Sequence, residues 1–379
     1  MQVDKSASQA KLNRQAVLDL IDKNGGSEGL NLSGFDLSEA NLSRLNLRGV
    51  IFGTNEILKT AESEDVLTQG ATLDGAWLER TNLQGANFGR TSLKGTHFYQ
   101  ADLSEASLWV ANAEGADFRK ANLSKANLYA TILKDCKLMG SSLEGANLNS
   151  ADLSGATLSV ESIGQRILQE NLAEYRRYYT RWYISAEVKH LYEKYHLEHR
   201  YKAATEVYLS LKNAFMGAGR YEDASWAYIK EREMERHTYN PTVARTYYSR
   251  ELPEKCSAKS LSWWKFHVRY SFKWLMSWLS DLLVGYGERP LRAALCSLVA
   301  IIFFMVIFWL SGGISSTDGE PVRLLDYFQY SLATFSTVSF ADLVPTNEFA
   351  KLATSVEALT GISFLALVMF SLGNRINRS

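Results

Sequence analysis

Thr337-Val338-Ser339-Phe340-Ala341-Asp342 is a short run of hydroxyl, apolar and small residues that ends on a carboxylate, with Pro345 three positions further on. Its one evident chemistry is cation handling. Backbone carbonyls from Thr337 to Ala341, with the Thr337 and Ser339 hydroxyls, can stand in for the water around a monovalent cation, and Asp342 can gather cations at one end. Covalent chemistry has no comparable constellation. The chain lacks a Walker loop, a dinucleotide fingerprint, a nucleophile elbow and a zinc-hydrolase motif. His196 and His199 share a helix face near His190, yet no carboxylate or cysteine completes a metal set. Neither an enzyme, a cofactor nor a metal centre is expected.

Such a run needs elements that hold it between two membrane faces. Leu291 to Leu310 supplies twenty residues whose only charge is Arg292, enough to cross a hydrocarbon core of about 30 Å. Phe349 to Leu372 supplies a second span, and Leu324 to Phe335 between them has the length of a short helix. The expected module, residues 290–379, therefore has spans at 291–312 and 349–372 around a helix and loop at 324–345. Irregular backbone at membrane depth is tolerated only where protein or a water-filled cavity surrounds it. Glu357, inside the second span, faces either a cavity or a partner on the short helix or a neighbouring subunit.

This segment resembles the pore module of tetrameric potassium channels, whose filter reads Thr-Val-Gly-Tyr-Gly-Asp before a nearby proline. Thr337, Val338, Asp342 and Pro345 match, and Phe340 stands for the tyrosine. Gly361 lies where that family keeps a hinge glycine in its inner helix. The resemblance implies a homotetramer with Thr337, Val338, Ser339, Phe340 and Ala341 along the filter. It puts Asp342 at the outer mouth and Ile362, Leu365 and Met369 at the cavity and gate. Both filter glycines are replaced, by Ser339 and Ala341. Holding a non-glycine residue left-handed costs on the order of 1–2 kcal/mol, roughly 8–16 kcal/mol for two sites in four subunits. The expected pore is a cation channel with a reshaped filter that is not reliably potassium-selective. The alternative is a non-conducting, membrane-anchored scaffold that recruits a cytoplasmic partner.

Charge places the termini. Lys265, Arg269, Lys273, Arg289 and Arg292 precede the first span and Arg375 and Arg378 follow the second, whereas Ser311 to Val322 has no Lys or Arg. The positive-inside rule then puts both termini in the cytoplasm. Met1 to Gln15 is polar and without an apolar signal core. The 379 residues carry a formal net charge of zero, so no bulk electrostatic case exists for nucleic acid. Three cysteines at unrelated spacings fit a reduced compartment.

The front of the chain has a five-residue period. Leu32, Leu37, Leu42, Leu47 and Phe52 begin it, and an insertion near 55–69 moves the register by one. It resumes at Leu73 and runs to Leu158 with one irregular position, Ala113, while small residues such as Ala76, Ala106 and Ala151 sit two places earlier. This period fits neither a helix face nor an alternating strand. It resembles the pentapeptide-repeat family, which implies a right-handed quadrilateral β-helix with four pentapeptides per coil over 30–160, after an N-terminal segment 1–29. Leu30 to Leu158 holds fifteen Asp and Glu against eleven Lys and Arg. That mixed surface argues against the acidic DNA mimicry some members use to bind a topoisomerase.

Residues 161–257 turn helical, an α-helical linker with a tetratricopeptide-like hairpin turning at Gly219-Arg220-Tyr221. An upstream aromatic segment (Tyr175, Tyr178, Tyr179, Trp182, Tyr183) is expected to pack on it. Residues 258–289 interleave Trp263, Trp264, Phe272, Trp274 and Trp278 with Lys265, Arg269 and Lys273, the pattern of an interfacial amphipathic helix. Solenoid, hairpin and two-span pore together resemble a group of bacterial channel-like membrane proteins. The implied setting is a bacterial plasma (inner) membrane, with lipid, copies of the chain and a cytoplasmic protein or ligand as partners.

Overall fold

The computed structural model describes residues 11–53, 70–164, 166–175, 186–241, 243–244, 261–317, 319–338 and 342–376. The chain forms two compact units, Met1–Ser257 and Ala258–Ser379.

In the first unit, parallel bridges recur every twenty residues, as in Thr72 with Ser92, Asn82 with Asp102 and Ile132 with Asp152. Four pentapeptides therefore make one coil. The periodic Leu and Phe residues from Leu32 to Leu158 are buried, as are the small residues two places before them. Ala113 breaks the Leu pattern but not the packing, being fully buried as well. Phe52 stacks on Phe88 at 4.7 Å and Phe98 on Phe118 at 4.8 Å, joined by an edge contact of Phe88 with Phe98 at 6.1 Å. Each coil thus buries its apolar column against its neighbours only. Cys136 occupies a small-residue position, its Sγ donating to the Ala113 carbonyl at 2.9 Å. Burial pushes that thiol up to about 12, so it acts as a small apolar residue.

Where Asp or Asn precedes the periodic residue, it has a local task that the period alone does not disclose. Its side chain accepts from the backbone N–H two residues later, as in Asn41 to Ser43 (3.2 Å), Asp102 to Ser104 (3.0 Å) and Asn127 to Tyr129 (3.1 Å). These Asx-turns bend the chain at the corners that carry Asp or Asn; Thr72, Trp77, His97 and Ile132 are among the residues that hold the same position elsewhere. Ser38 and Ser154 hold the Asp36 and Asp152 carboxyls below the usual carboxylate range.

The insertion is cut into the coil with residue accuracy. Phe52 and Phe88, like Asp36 and Thr72, are 36 positions apart yet neighbours, one coil plus the sixteen residues 54–69, which lie outside the described residues. Ala71 N donates to Phe52 O at 2.6 Å, the bond that Ala76 makes to Leu73 in an uninterrupted repeat. A Cβ on Gly53 would lie 1.9 Å from Gly89 O, and one on Gly70 would lie 2.6 Å from Thr91 Oγ1, so neither flanking position has room for a side chain. Deleting 54–69 restores Phe52-Gly53-Gly70-Ala71 as an ordinary repeat. The melting temperature of the solenoid is expected to stay level or rise by about 2–4 °C; loss of its circular dichroism signal would contradict the register.

Helix α1 (Arg14–Asn24) closes one end. Asn13 accepts from Ala16 N, Val17 is buried in the solenoid core, and Leu12 N joins the ladder at Asp36 O. At the other end α2 (Ala186–Gly217) and α3 (Tyr221–Tyr239) pack together as a pair of helices. Val207, Leu211 and Phe215 are buried opposite Ala224 and Ala227 in one core with the solenoid; Tyr228 is half-buried under Lys212 and Arg232. Lys230 pairs with Glu170 at 3.0 Å, and the Tyr208 hydroxyl donates to the same carboxylate. Tyr175 is buried; Tyr178, Tyr179, Trp182 and Tyr183 lie outside the described residues. Of the three histidines, His199 is half-exposed, and the side chains of His190 and His196 lie outside the described residues.

The second unit opens with α4 (Leu261–Val284), whose Trp264, Val268, Phe272, Leu275, Met276 and Leu282 form an exposed apolar stripe beside Lys265 and Arg269. The elbow Gly285–Gly287 contains Tyr286 at φ 57° and leads through Pro290 at N1 into α5 (Pro290–Ser311). Then come β1 (Ile314–Ser316), α6 (Leu324–Phe335), β2 (Leu343–Pro345) and α7 (Glu348–Ile376). Phe304, Phe308, Ile314, Tyr327, Tyr330, Ala350 and Ala353 make the core that α5, α6 and α7 share. Helices α5 and α7 are both long and apolar enough to span a membrane.

Candidate functional site: the loop between the two spans

The loop is positioned by the end of α6. Ser336 caps the helix, Val338 N donates to Ala333 O at 2.9 Å, and Thr337 N donates to Thr334 O at 3.1 Å. This is a Schellman arrangement, which requires a left-handed residue after the cap. Thr337 fills that place at φ 58°, an unusual conformation for a β-branched side chain. Its hydroxyl donates to Ser336 O at 2.7 Å. A left-handed, non-glycine residue is thus present at 337; positions 339 and 341, where the sequence points to such strain, are a separate matter. Val338 is 59% exposed. Ser339, Phe340 and Ala341 lie outside the described residues.

At its far side the loop is held by a clasp that is not evident in the sequence. Strands β1 and β2 pair antiparallel, Ile314 opposite Pro345, Ser315 opposite Val344 and Ser316 opposite Leu343. Thr317 N donates to Asp342 O at 2.9 Å and Thr346 N to Gly313 O at 2.8 Å. The residue after the first span and the residue closing the loop are therefore tied together, leaving the Asp342 side chain exposed. At the start of α6 the Asp326 carboxylate accepts from Arg323 N at 2.6 Å, which compensates the positive end of the helix dipole. The negative end faces the loop.

Helix α7 sorts the remaining site residues onto two faces. Ala350, Ala353, Glu357 and Gly361 are buried. Gly361 has a packing duty, since a Cβ there would lie 1.9 Å from the Phe335 carbonyl oxygen at the end of α6. The helix runs unbroken through Gly361. Glu357 Oε1 is in hydrogen-bond contact with the Ser331 hydroxyl of α6, so of its two sequence-derived readings the chain itself provides the partner on the short helix. One turn away the Tyr330 and Thr354 hydroxyls meet at 2.9 Å. Ile362, Leu365 and Met369 are 54%, 65% and 64% exposed, an unfilled stripe on the other side. Near its end, Ser371 donates to Gly287 O of the elbow at 2.9 Å. Ser331, Tyr330 and Thr354 were not separable from ordinary helix residues by sequence; only the acid that needs them stood out.

Residues 295–378 match a family model described as ion channel, and residues 28–53, 69–98, 96–135 and 121–159 match pentapeptide repeats, in eight copies. No curated protein matches the chain. Among solved structures, a pentapeptide repeat protein from Nostoc PCC 7120 is 38% identical over 21% of this chain and 66% of its own, at a TM-score of 0.21. QnrB1, a plasmid-mediated fluoroquinolone resistance protein, is 26% identical over 33% of this chain and 58% of its own, at 0.20. HetL, a pentapeptide repeat protein involved in heterocyst differentiation regulation from the cyanobacterium Nostoc sp. strain PCC 7120, is 26% identical over 34% and 60%, at 0.15. The chain thus spans between 58% and 66% of the length of these structures. It is a membrane protein with two spans, carrying pentapeptide repeats on its N-terminal side and an ion-channel domain on its C-terminal side.

Proposed function

We propose that the chain forms a homotetrameric cation channel of a bacterial plasma membrane, with both termini and a regulatory or scaffolding solenoid in the cytoplasm. The solenoid winds right-handed with a quadrilateral section. The observation that carries the reading is the end of α6: a capped helix delivers the Thr337–Asp342 loop between two spans with its negative dipole end foremost. That end amounts to about half an elementary charge per subunit, and four converging on one axis favour a cation and repel an anion. The exposed stripe Ile362, Leu365 and Met369 is then the lining of the cavity and gate, and Asp342 rims the outer mouth. Monovalent cations are the permeant species.

The filter reading has its own test. Restoring glycine at both positions, as Ser339→Gly with Ala341→Gly, removes two strained sites worth on the order of 1–2 kcal/mol each. The potassium-to-sodium permeability ratio of reconstituted protein is expected to rise by about tenfold or more. An unchanged ratio would remove the argument that these side chains reshape the filter. The channel reading also requires a tetrameric mass in detergent; a monomer would favour the anchored scaffold.

A further inference from the structure

Between α5, α6 and α7 lies a polar cluster that the loop itself does not use. Ser331 and Glu357 are fully buried within a single chain. The Ser331 hydroxyl lies 2.8 Å from the Ile301 carbonyl oxygen of α5 and also contacts Glu357 Oε1 of α7. A hydroxyl has a single hydrogen to give. If it goes to Ile301, Ser331 Oγ and an ionised Glu357 are two acceptors pressed together. If it goes to Glu357, the same conflict moves to Ile301. An ionised cluster is one hydrogen short.

Among the described residues, no neighbouring charge makes up the deficit. The second Glu357 oxygen is buried without a hydrogen-bond partner. On α5, Arg292 pairs with Asp281 of α4, and Cys296 contacts Leu282 O. On α6, Asp326 caps its own helix, Tyr327 lies in the apolar core and Tyr330 bonds Thr354. On α7, Lys351 pairs with Glu348. A lone carboxylate in such a place bears a desolvation penalty that a neutral acid largely escapes.

We propose that Glu357 carries a proton and donates it to Ser331, which donates in turn to the Ile301 carbonyl. The relay from Glu357 through Ser331 to Ile301 bolts the second span to α6 and to the first span. Glu357 is then a positioning residue. It lies one turn before Gly361, whose contact with Phe335 fixes the end of α6, so bolt and glycine together set where the loop begins. The role in conduction rests on the channel reading; the proton does not.

Infrared difference spectra of the full chain in liposomes, with carbon-13-labelled glutamate, test the proton directly. At neutral pH, wild type minus Glu357→Gln is expected to contain the carbonyl band of a protonated carboxyl group, shifted in Ser331→Ala. A difference showing only carboxylate bands would overturn the proposal. Glu357→Gln keeps a donor and is expected to retain cation flux within about threefold, whereas Glu357→Ala and Ser331→Ala lose roughly tenfold or more. Glutamine as damaging as alanine would overturn the donor assignment. A protonated band with no flux from any variant would support the bolt and contradict the channel reading, so the two failures are distinguishable.

Discussion

Gly361→Ala is expected to cut cation flux by roughly tenfold or more and to lower the thermal stability of the membrane unit. Two effects oppose each other here. Alanine is the better helix former by about 1 kcal/mol. Its methyl group, however, would lie 1.9 Å from the Phe335 carbonyl oxygen, and that neighbour is backbone, which cannot rotate away. Overpacking of this kind costs about 1–3 kcal/mol per site, repeated in every subunit of the proposed tetramer. The shift needed to relieve it falls on the last residue of α6, two positions before Thr337. Gly373 on the same helix has nothing within 4 Å of a Cβ, so Gly373→Ala is the matched control and should be neutral or slightly stabilising. Flux from proteoliposomes and melting followed by tryptophan fluorescence separate the pair. If Gly361 served only as a hinge, alanine would alter gating and leave stability intact.

Phe98→Ala is expected to destabilise the solenoid by about 3–5 kcal/mol, the range for truncating a buried aromatic side chain. Phe98 is fully buried, stacked on Phe118 and in edge contact with Phe88. It therefore packs against the next coil through Phe118 and against the residue half a coil before it, Phe88. Because each coil contacts only its neighbours, the loss should also broaden the urea transition. Trp77 is 45% exposed and stacks on His97 at 4.1 Å; Trp77→Ala should cost less than about 1 kcal/mol. Equal losses for the two substitutions would contradict a core built on the periodic inner column.

Much of this was legible because repetition averages out local ambiguity. A column of Leu and Phe at five-residue spacing specified the coil, and the one-step register change across the insertion required a length one more than a multiple of five, which the contacts flanking it fix at sixteen. The Asx-turns escaped notice because Asp and Asn share that position with Thr, Ser, Trp, His, Ile and Lys, and only the bond to the N–H two residues on shows what the Asp and Asn residues do. The clasp between β1 and β2 is three residues per strand, too short for alternation to register. Glu357 stood out as an acid in an apolar span, yet Ser331 did not, since a serine in a short helix has many uses. Gly361 drew attention through family likeness; its contact with Phe335 is a different reason for the same residue, and depends on helix approach that spacing does not encode. The strain reading at positions 339 and 341 rests on the missing glycines and falls outside the described residues; the left-handed Thr337 is an addition that only the cap geometry discloses.

The central claim is that the loop between the spans conducts cations. Purified full-length chain in planar bilayers, recorded under steps of voltage, tension, pH and cation composition, tests it most directly. Discrete unitary currents whose reversal potential follows the cation gradient, and which Gly361→Ala reduces, are the predicted result. Silence under all of these conditions from protein shown to be tetrameric and inserted would contradict it.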